Sequence, residues 1–352
     1  MEHLTDILQH FDLPQGTPSV SGNFSGLINQ TLKLTYEKES FIFQQINLHV
    51  FPNCDQLMEN VLSVTRHIYQ KTGGGMRVVL TKDGAPYWRD GDRCYRIYTF
   101  IENSISFDTV DDDRIFYRAG KGFGKFQRDL ADFPAEKLYE VIPDFHNTVK
   151  RFSDFEQAVA ADSAGRVAEA MPEIEFLKAN RALSALIWEP LCNGEIPMRV
   201  THNDTKLNNI LFDRDTSEPV CVIDLDTVMS GSVLFDFGDA VRYGANRVGE
   251  TPERAEDAKM DMALFEAFSK GFLSETGDVL TPAEIRLLPD SVAVMTYELA
   301  LRFLEDYLRG DVYFGAATPT LNLHRARVQI RLLQDILEKI PQMREITEKM
   351  IG

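Results

Sequence analysis

The chain has 352 residues, 44% hydrophobic and 26% charged, with a formal net charge of -17. That length exceeds what one hydrophobic core usually serves, so two lobes are expected. The acidic excess argues against a nucleic acid or an anionic membrane as partner, since both need a basic face; it leaves open a nucleotide whose phosphates a metal ion screens. No apolar run approaches the roughly 20 residues of a membrane span. The opening MEHLTDILQHFDLPQG lacks the apolar core of a signal peptide. A cytoplasmic protein is expected. Cys54, Cys94, Cys192 and Cys221 lie far apart without CxxC spacing. Buried free thiols fit that better than a disulfide framework or a zinc site.

Leu4, Ile7, Leu8 and Phe11 recur at helical spacing, and Pro14 and Gly16 close that short helix. TLKLTY (31–36) and SFIFQQI (40–46) are rich in β-branched or aromatic residues and read as strands, with EKE as the turn region between them. CDQLMENVLSVTRHIYQKTGGG predicts a helix over 55–70, stopped by glycines. RVVLTK, APYWRD and RCYRIYTFI follow, separated by the hairpin signals Asp83-Gly84 and Gly91-Asp92. Residues up to 101 thus read as an antiparallel sheet interrupted by one helix. The polar ENSISFDTVDDD (102–113) marks a hinge.

Beyond the hinge the pattern is mostly helical: 114–130, 153–182, 236–244, 253–276, 282–309 and 321–349. Two short strands are expected at ILFD (210–213) and VCVIDL (220–225). Thr281-Pro282-Ala283-Glu284 has capping-box spacing with Pro at the first helical position. Pro289 is expected to bend or split that helix. The fold class is α+β and bilobal. A small antiparallel-sheet lobe (1–102) is followed by a larger, mostly helical lobe (103–352).

Chemistry concentrates in THNDTKLNNILF (201–212). His202, Asp204 and Asn209 have the H-x-D-x-x-x-x-N spacing of a kinase catalytic loop. An Asp can orient and deprotonate an attacking hydroxyl. Lys206 can reach a phosphate in transfer, and Asn209 offers a neutral oxygen to Mg²⁺. VCVIDLD places Asp224 at the exit of an apolar run, 15 residues after Asn209, as a second metal ligand. Asp226 reads equally as a ligand to a further metal ion and as a turn residue. The literal DFG at Asp236-Phe237-Gly238 follows no strand; it reads as a helix start, with Asp236 near the N-cap and bracing the loop. GKGFGK (120–125) lacks Walker A spacing and sits in a helical pattern, so close helix packing is favoured. SGNFSGLINQT (21–31), ahead of a strand, is the candidate phosphate cover, with Gly22, Ser25, Gly26 and Asn29 offering amides and side-chain donors.

Together these residues resemble the aminoglycoside phosphotransferase and choline kinase family, a small-molecule branch of the protein-kinase-like fold. THNDTKLNNIL, IDLDT, LFDFGD and RFLEDYLRGDVYF (302–314) are similar to the N-acetylhexosamine 1-kinase class. The resemblance implies ATP and Mg²⁺ between the lobes, with adenine against the hinge around Phe100 and Glu102. It implies transfer of the γ-phosphate to the anomeric hydroxyl of GlcNAc or GalNAc. Asp204 would be the base, Lys206 a phosphate or substrate contact, and Asn209 and Asp224 the metal ligands. Arg302 and Tyr313 would lie on the sugar side; from the residues alone, an ion-pair residue and a partly buried packing residue are equal readings. Another alcohol acceptor (homoserine, choline, an aminoglycoside) is the alternative, and a non-catalytic binding protein on this fold is a third. A monomer or weak dimer is expected. One departure stands out: FIFQQI places Gln44 where such kinases carry a Lys. An amide can hydrogen-bond a phosphate but cannot neutralise it. Glu59 in the next helix then lacks its usual partner and reads as a solvated charge.

Overall fold

A computed structural model describes residues 4–25, 29–110 and 112–351. The N-terminal part comprises α1 (Leu4–Leu8), β1 (Ser19–Ser25), β2 (Gln30–Thr35), β3 (Ser40–Ile46), α2 (Cys54–Thr72), β4 (Val78–Val79), β5 (Trp88–Asp90) and β6 (Arg93–Thr99). The strands form one antiparallel sheet in the order β1-β2-β3-β6-β4, with β5 also on β6. Alternation along β6 decides its two faces. Tyr95 and Ile97 join Leu34, Phe41 and Phe43 under Ile7, Leu8 and Phe11. Cys94 and Tyr98 face Leu57, Met58, Val61 and Val64 of α2. Each such side chain contributes about 1.5–3 kcal/mol when fully buried. By the same parity Arg96 points inward and is only 1% exposed.

The C-terminal part contains α3 (Asp113–Asp129), α4 (Thr148–Ala161), α5 (Met171–Ala179), α6 (Trp188–Cys192), α7 (Val233–Gly244), α8 (Met262–Thr276), α9 (Pro282–Arg309) and α10 (Leu321–Ile351). Between them lie β7 (Ser104–Ile105), β8 (Arg199–Thr201), β9 (Ile210–Asp213), β10 (Pro219–Val222) and β11 (Met229–Gly231). β10, β9 and β7 make one small sheet, and β11 pairs with β8. The expected hinge stretch is therefore anchored early, through β7, to β9, the strand that follows the 202–209 loop. α9 is buried on nearly every side and forms the central post of this core, with Tyr297 and Tyr307 fully enclosed. Its capping box is present: Thr281 Oγ1 accepts from Glu284 N at 3.2 Å, and Thr281 N donates to Glu284 Oε2 at 2.7 Å.

Several expected elements differ. Pro289 does not split α9; neighbours on all sides hold the helix through the lost hydrogen bond. The helix expected over 153–182 is two, α4 and α5. Asp162 takes a left-handed conformation, and its carboxylate accepts from Arg166 N and Val167 N, turning the chain. α8 starts at Met262, where Asp261 caps it through Ala263 N and Leu264 N. α7 starts at Val233 behind Ser232, so Asp236 lies inside the first turn and not at the cap. β10 ends at Val222, two residues before Asp224. All four cysteines are free, but Cys192 is exposed and Cys221 only partly covered. No described helix is long and apolar enough to cross a membrane.

The GKGFGK stretch belongs to α3 and packs against α8, backbone to backbone. A Cβ at Gly120 would overlap the Phe268 carbonyl, one at Gly124 the Phe272 carbonyl, and one at Gly271 the Tyr117 carbonyl. The small residues let two helices that carry the core close to a distance larger residues forbid. Gly271→Ala should cost about 1–3 kcal/mol as an overpacking change, read as a lowered urea midpoint with unchanged slope.

Candidate active site

β8 delivers the chain into the 201–212 loop, and a short 3-10 turn, Leu207–Asn209, leads out into β9. From Asn203 onward, buried and half-buried side chains alternate along it. His202, Asn203, Thr205 and Leu207 are buried, while Asp204 and Lys206 reach the cleft. Asp236, from α7, clamps the loop. Its Oδ2 accepts from His202 N at 2.9 Å and its Oδ1 from Asn203 N at 2.8 Å. Gln127 on α3 donates to the same carboxylate at 2.9 Å, and Thr205 Oγ1 donates to the Asp236 carbonyl at 2.7 Å. His202 lies on the Phe123 and Phe126 rings; its Nε2 donates to Ile223 O at 2.8 Å and its Nδ1 accepts from Asp204 N at 3.2 Å. Those partners assign the Nε2–H tautomer. Asn203 sits at φ 66° and donates to Thr227 O at 2.8 Å, serving the loop itself. Asn208 instead reaches Asp108, at 3.3 Å.

In the cleft Lys206 Nζ lies 2.7 Å from Asp204 Oδ1. Burial opposes the ammonium charge, but Asp204, with Asp239 and Glu250 beyond it, more than offsets this and holds Lys206 above its ordinary range. Asn209 Nδ2 donates to the Asp204 carbonyl at 2.8 Å, which leaves Oδ1 as its free oxygen. Asp224 follows β10 in the left-handed conformation, φ 60°, and opens to the cleft. Surrounding protein strips part of its hydration, and Asp226 and Asp204 add negative potential; together they push its carboxyl up to about 6, an effect that water in the open cleft tempers. Among the described residues no cluster of three His, Cys, Asp or Glu side chains forms a closed metal cage. One carboxylate and one amide oxygen nevertheless suit Mg²⁺, which takes one or two protein oxygens and completes its shell with phosphates and water.

Asp226 is engaged elsewhere. Arg96 reaches it with both terminal nitrogens, Nη1 to Oδ1 and Nη2 to Oδ2, the latter at 2.8 Å. Asn29 Nδ2 donates to Oδ2 at 2.7 Å. Sequence reasoning missed Arg96; the signal was a basic residue at an inward position of an apolar strand. Gln44 does not stand alone either: its Oε1 accepts from Arg96 Nε at 2.9 Å, and its Nε2 donates to Thr31 Oγ1 at 3.0 Å. Met58, not Glu59, faces this cluster; Glu59 is exposed. Gly22 sits at φ 77° in a bulge of β1. Gly26 lies outside the described residues, as does the side chain of Ser25. Phe100 ends the sheet with its ring under Lys33 Nζ, and Glu102 is exposed at the crossing between the lobes.

The structure brings Arg302 and Tyr313 together at 3.5 Å. The guanidinium packs against the rings of Phe145, Phe314 and Tyr313 and lies 3.6 Å from Glu298. Tyr313 is 69% exposed, so packing is not its role. Burial alone would raise the Glu298 carboxyl, but His146 and Arg302 hold it below its ordinary range. His146 links this cluster to the catalytic loop, with Nδ1 3.0 Å from Glu298 and Nε2 3.4 Å from Asn203 O. A separate cavity of 470 Å³ lies beside β10, lined by Ile68, Met76, Phe126, Cys221 and Leu225.

Residues 20–268 match the sequence profile of the APH phosphotransferase enzyme family. The chain belongs to that family. Solved structures agree on the fold. An aminoglycoside phosphotransferase from Alicyclobacillus acidocaldarius aligns with TM-score 0.65 at 14% identity, over 98% of this chain and 96% of that one. A choline kinase from Cryptosporidium parvum gives 0.57 at 16%, over 97% and 96%. The amicoumacin kinase hAmiN, solved with AMP-PNP, Ca²⁺ and Ami, gives 0.61 at 14%, over 94% and 92%. This APH phosphotransferase thus has the α+β, protein-kinase-like architecture, with an antiparallel-sheet N-terminal region and a helical C-terminal region.

The raised carboxyl of Asp224 makes a prediction about pH. A pKa raised on folding stabilises the fold below the unfolded value, 3.8, and that contribution is lost as pH rises through about 6. Asp224→Asn removes the charge and keeps a residue that tolerates left-handed backbone. The metal-free variant should therefore melt above the wild type at pH 8, with the gain shrinking below about 6 and vanishing near 3.8, in differential scanning fluorimetry across pH.

Proposed function

We propose that the protein transfers the γ-phosphate of ATP to the anomeric C1 hydroxyl of an N-acetylhexosamine, GlcNAc or GalNAc. The observation that carries the transfer is the Asp204–Lys206 pair at the cleft, one hydrogen bond from Asn209 and facing Asp224. Residues 1–102 cover the nucleotide, with Gly22, Ser25, Gly26 and Asn29 at the phosphates and Phe100 and Glu102 at the adenine. Residues 103–352 hold the base and the acceptor. Asn209 Oδ1 and Asp224 would hold Mg²⁺, which would screen the phosphate charge. Asp204 accepts a hydrogen bond from the acceptor hydroxyl, aims it in line with the phosphoryl group and takes its proton as the bond forms. Lys206, released from Asp204 by the incoming hydroxyl, places its charge beside the moving phosphoryl group.

The acceptor side supports a neutral sugar over a cationic alcohol. A choline-like ammonium is bound by the faces of aromatic rings. Here Arg302 already occupies the Phe145, Phe314 and Tyr313 faces, and a second cation would meet its charge. A guanidinium and a phenol are instead the donors that sugar hydroxyls and an acetamido carbonyl accept from.

A panel of GlcNAc, GalNAc, glucose, galactose, homoserine, choline and an aminoglycoside, read by ADP release, tests the acceptor. ³¹P NMR of the product should show a phosphate on C1. Turnover of choline or the aminoglycoside with no sugar active would sink the sugar reading. Asp204→Asn should lower kcat by about 10²–10⁴-fold with the unfolding midpoint unchanged. Arg302→Leu should raise the sugar KM by roughly 10- to 100-fold and leave the ATP KM in place.

A further inference from the structure

We infer that Arg96 provides from β6 the positive charge that Gln44 does not provide from β3, and that it is a positioning residue whose fork on Asp226 sets the turn presenting Asp224. This rests on the phosphotransferase reading of the same cleft. Gln44 and Arg96 are direct cross-strand partners, so both side chains leave the sheet on one face. The Gln44 amide orients the guanidinium: it accepts from Nε, and Thr31 holds the amide from behind. Met58 Sδ lies 3.8 Å from Nη1, and the Tyr98 ring centroid lies 5.0 Å from Cζ. With Nε taken and its flanks filled, the guanidinium has one direction left, and Asp226 receives both terminal nitrogens. A lysine at residue 44 would bring a mobile point charge; Arg96 brings a planar fork that fixes the angle of a carboxylate as well as its charge.

The other half of the arrangement lies in the metal turn. Asp226 is two residues after Asp224, within the 3-10 turn Leu225–Thr227. Asn29, immediately before β2, donates to the same carboxylate and accepts from Asn47 N at 2.9 Å. The turn is thus tied to the sheet by two side chains, one of them at the end of the phosphate-covering segment. A buried ion pair contributes little net stability over an apolar pair of equal volume. What this one adds is a single orientation for the backbone that carries Asp224, and a second carboxylate neutralised so that it does not compete for the cation.

The test compares wild type, Arg96→Gln, Arg96→Lys, Gln44→Lys and the charge swap Gln44→Lys/Arg96→Gln. Mg·ADP affinity is measured by calorimetry, thermal unfolding without nucleotide, and steady-state constants for ATP and GlcNAc. Arg96→Gln should weaken Mg·ADP binding and raise the ATP KM by roughly 10–100-fold, with the GlcNAc KM within about twofold. The swap should recover most of that loss, because the charge returns from the directly opposed strand position. Gln44→Lys alone should not improve binding. Arg96→Lys keeps the charge without the fork and serves if Arg96→Gln does not fold; it should weaken binding severalfold. Wild-type Mg·ADP affinity in Arg96→Gln or Arg96→Lys overturns the inference, as does a swap no better than Arg96→Gln. A wild-type protein that binds no Mg·ADP overturns the phosphotransferase reading itself.

Discussion

The Asp236 carboxylate is the contact on which the site depends. Two of its oxygens take two consecutive backbone amides of the catalytic loop, at His202 and Asn203. These amides are buried, and a buried donor left unpaired costs about 1–3 kcal/mol. The loop cannot satisfy them itself, because Asn203 turns left-handed there. The carboxylate sits in the first turn of α7, whose residues Val233, Leu234, Phe235 and Phe237 are locked in the core. The position of Asp204 is therefore set by packing far from the cleft. The strand that begins at Ile210 completes the hold from the other end, since Ile210 and Phe212 are fully buried.

Most of the architecture was legible because it follows local rules. Richness in β-branched and aromatic residues marked β2 and β3, Gly91-Asp92 marked the β5–β6 hairpin, and Thr281 with Glu284 marked the start of α9; Asp83-Gly84 joins no hairpin, because β4 and β5 both pair with β6 and not with each other. What was illegible came from long-range competition. A continuous helical pattern over 153–182 gave way where Asp162 bonded to the backbone ahead of it. Pro289 stayed inside a helix because tertiary packing outweighed one missing bond. Spacing put Asp204, Lys206 and Asn209 on one loop, and the structure brings the three side chains together; the bracing role of Asp236 was legible from its lack of a preceding strand. Arg96 was not, although its inward parity was visible, because its partner lies 130 residues away. Asp226, read as a ligand or a turn residue, lies in the turn Leu225–Thr227 and there takes the Arg96 fork, which sequence alone did not show.

The two lobes meet the site in different ways. The helical region offers Asp204, Lys206 and Asn209 from a loop held by Asp236 and by the Thr227 carbonyl. The sheet region reaches the metal turn through Arg96 and Asn29. The core under α2 also takes in Val200, Leu225, Val228 and Met229, so the sheet region and the turn after Asp224 share one packing unit.

The Arg302–Tyr313 cluster has a consequence for how such an enzyme could change its diet. Arg302 lies on α9, but Tyr313 stands beyond the helix end, where Asp306 accepts from the amides of Tyr313 at 2.7 Å and Phe314 at 2.9 Å. The side chain that faces solvent is thus carried on backbone pinned by a different residue. The side chain at residue 313 can change while Asp306 holds the turn beneath it, and Arg302, Glu298 and His146 connect that position to the 202–209 loop. Under the proposed reading, acceptor preference sits on a replaceable tile over a turn that Asp306 keeps fixed.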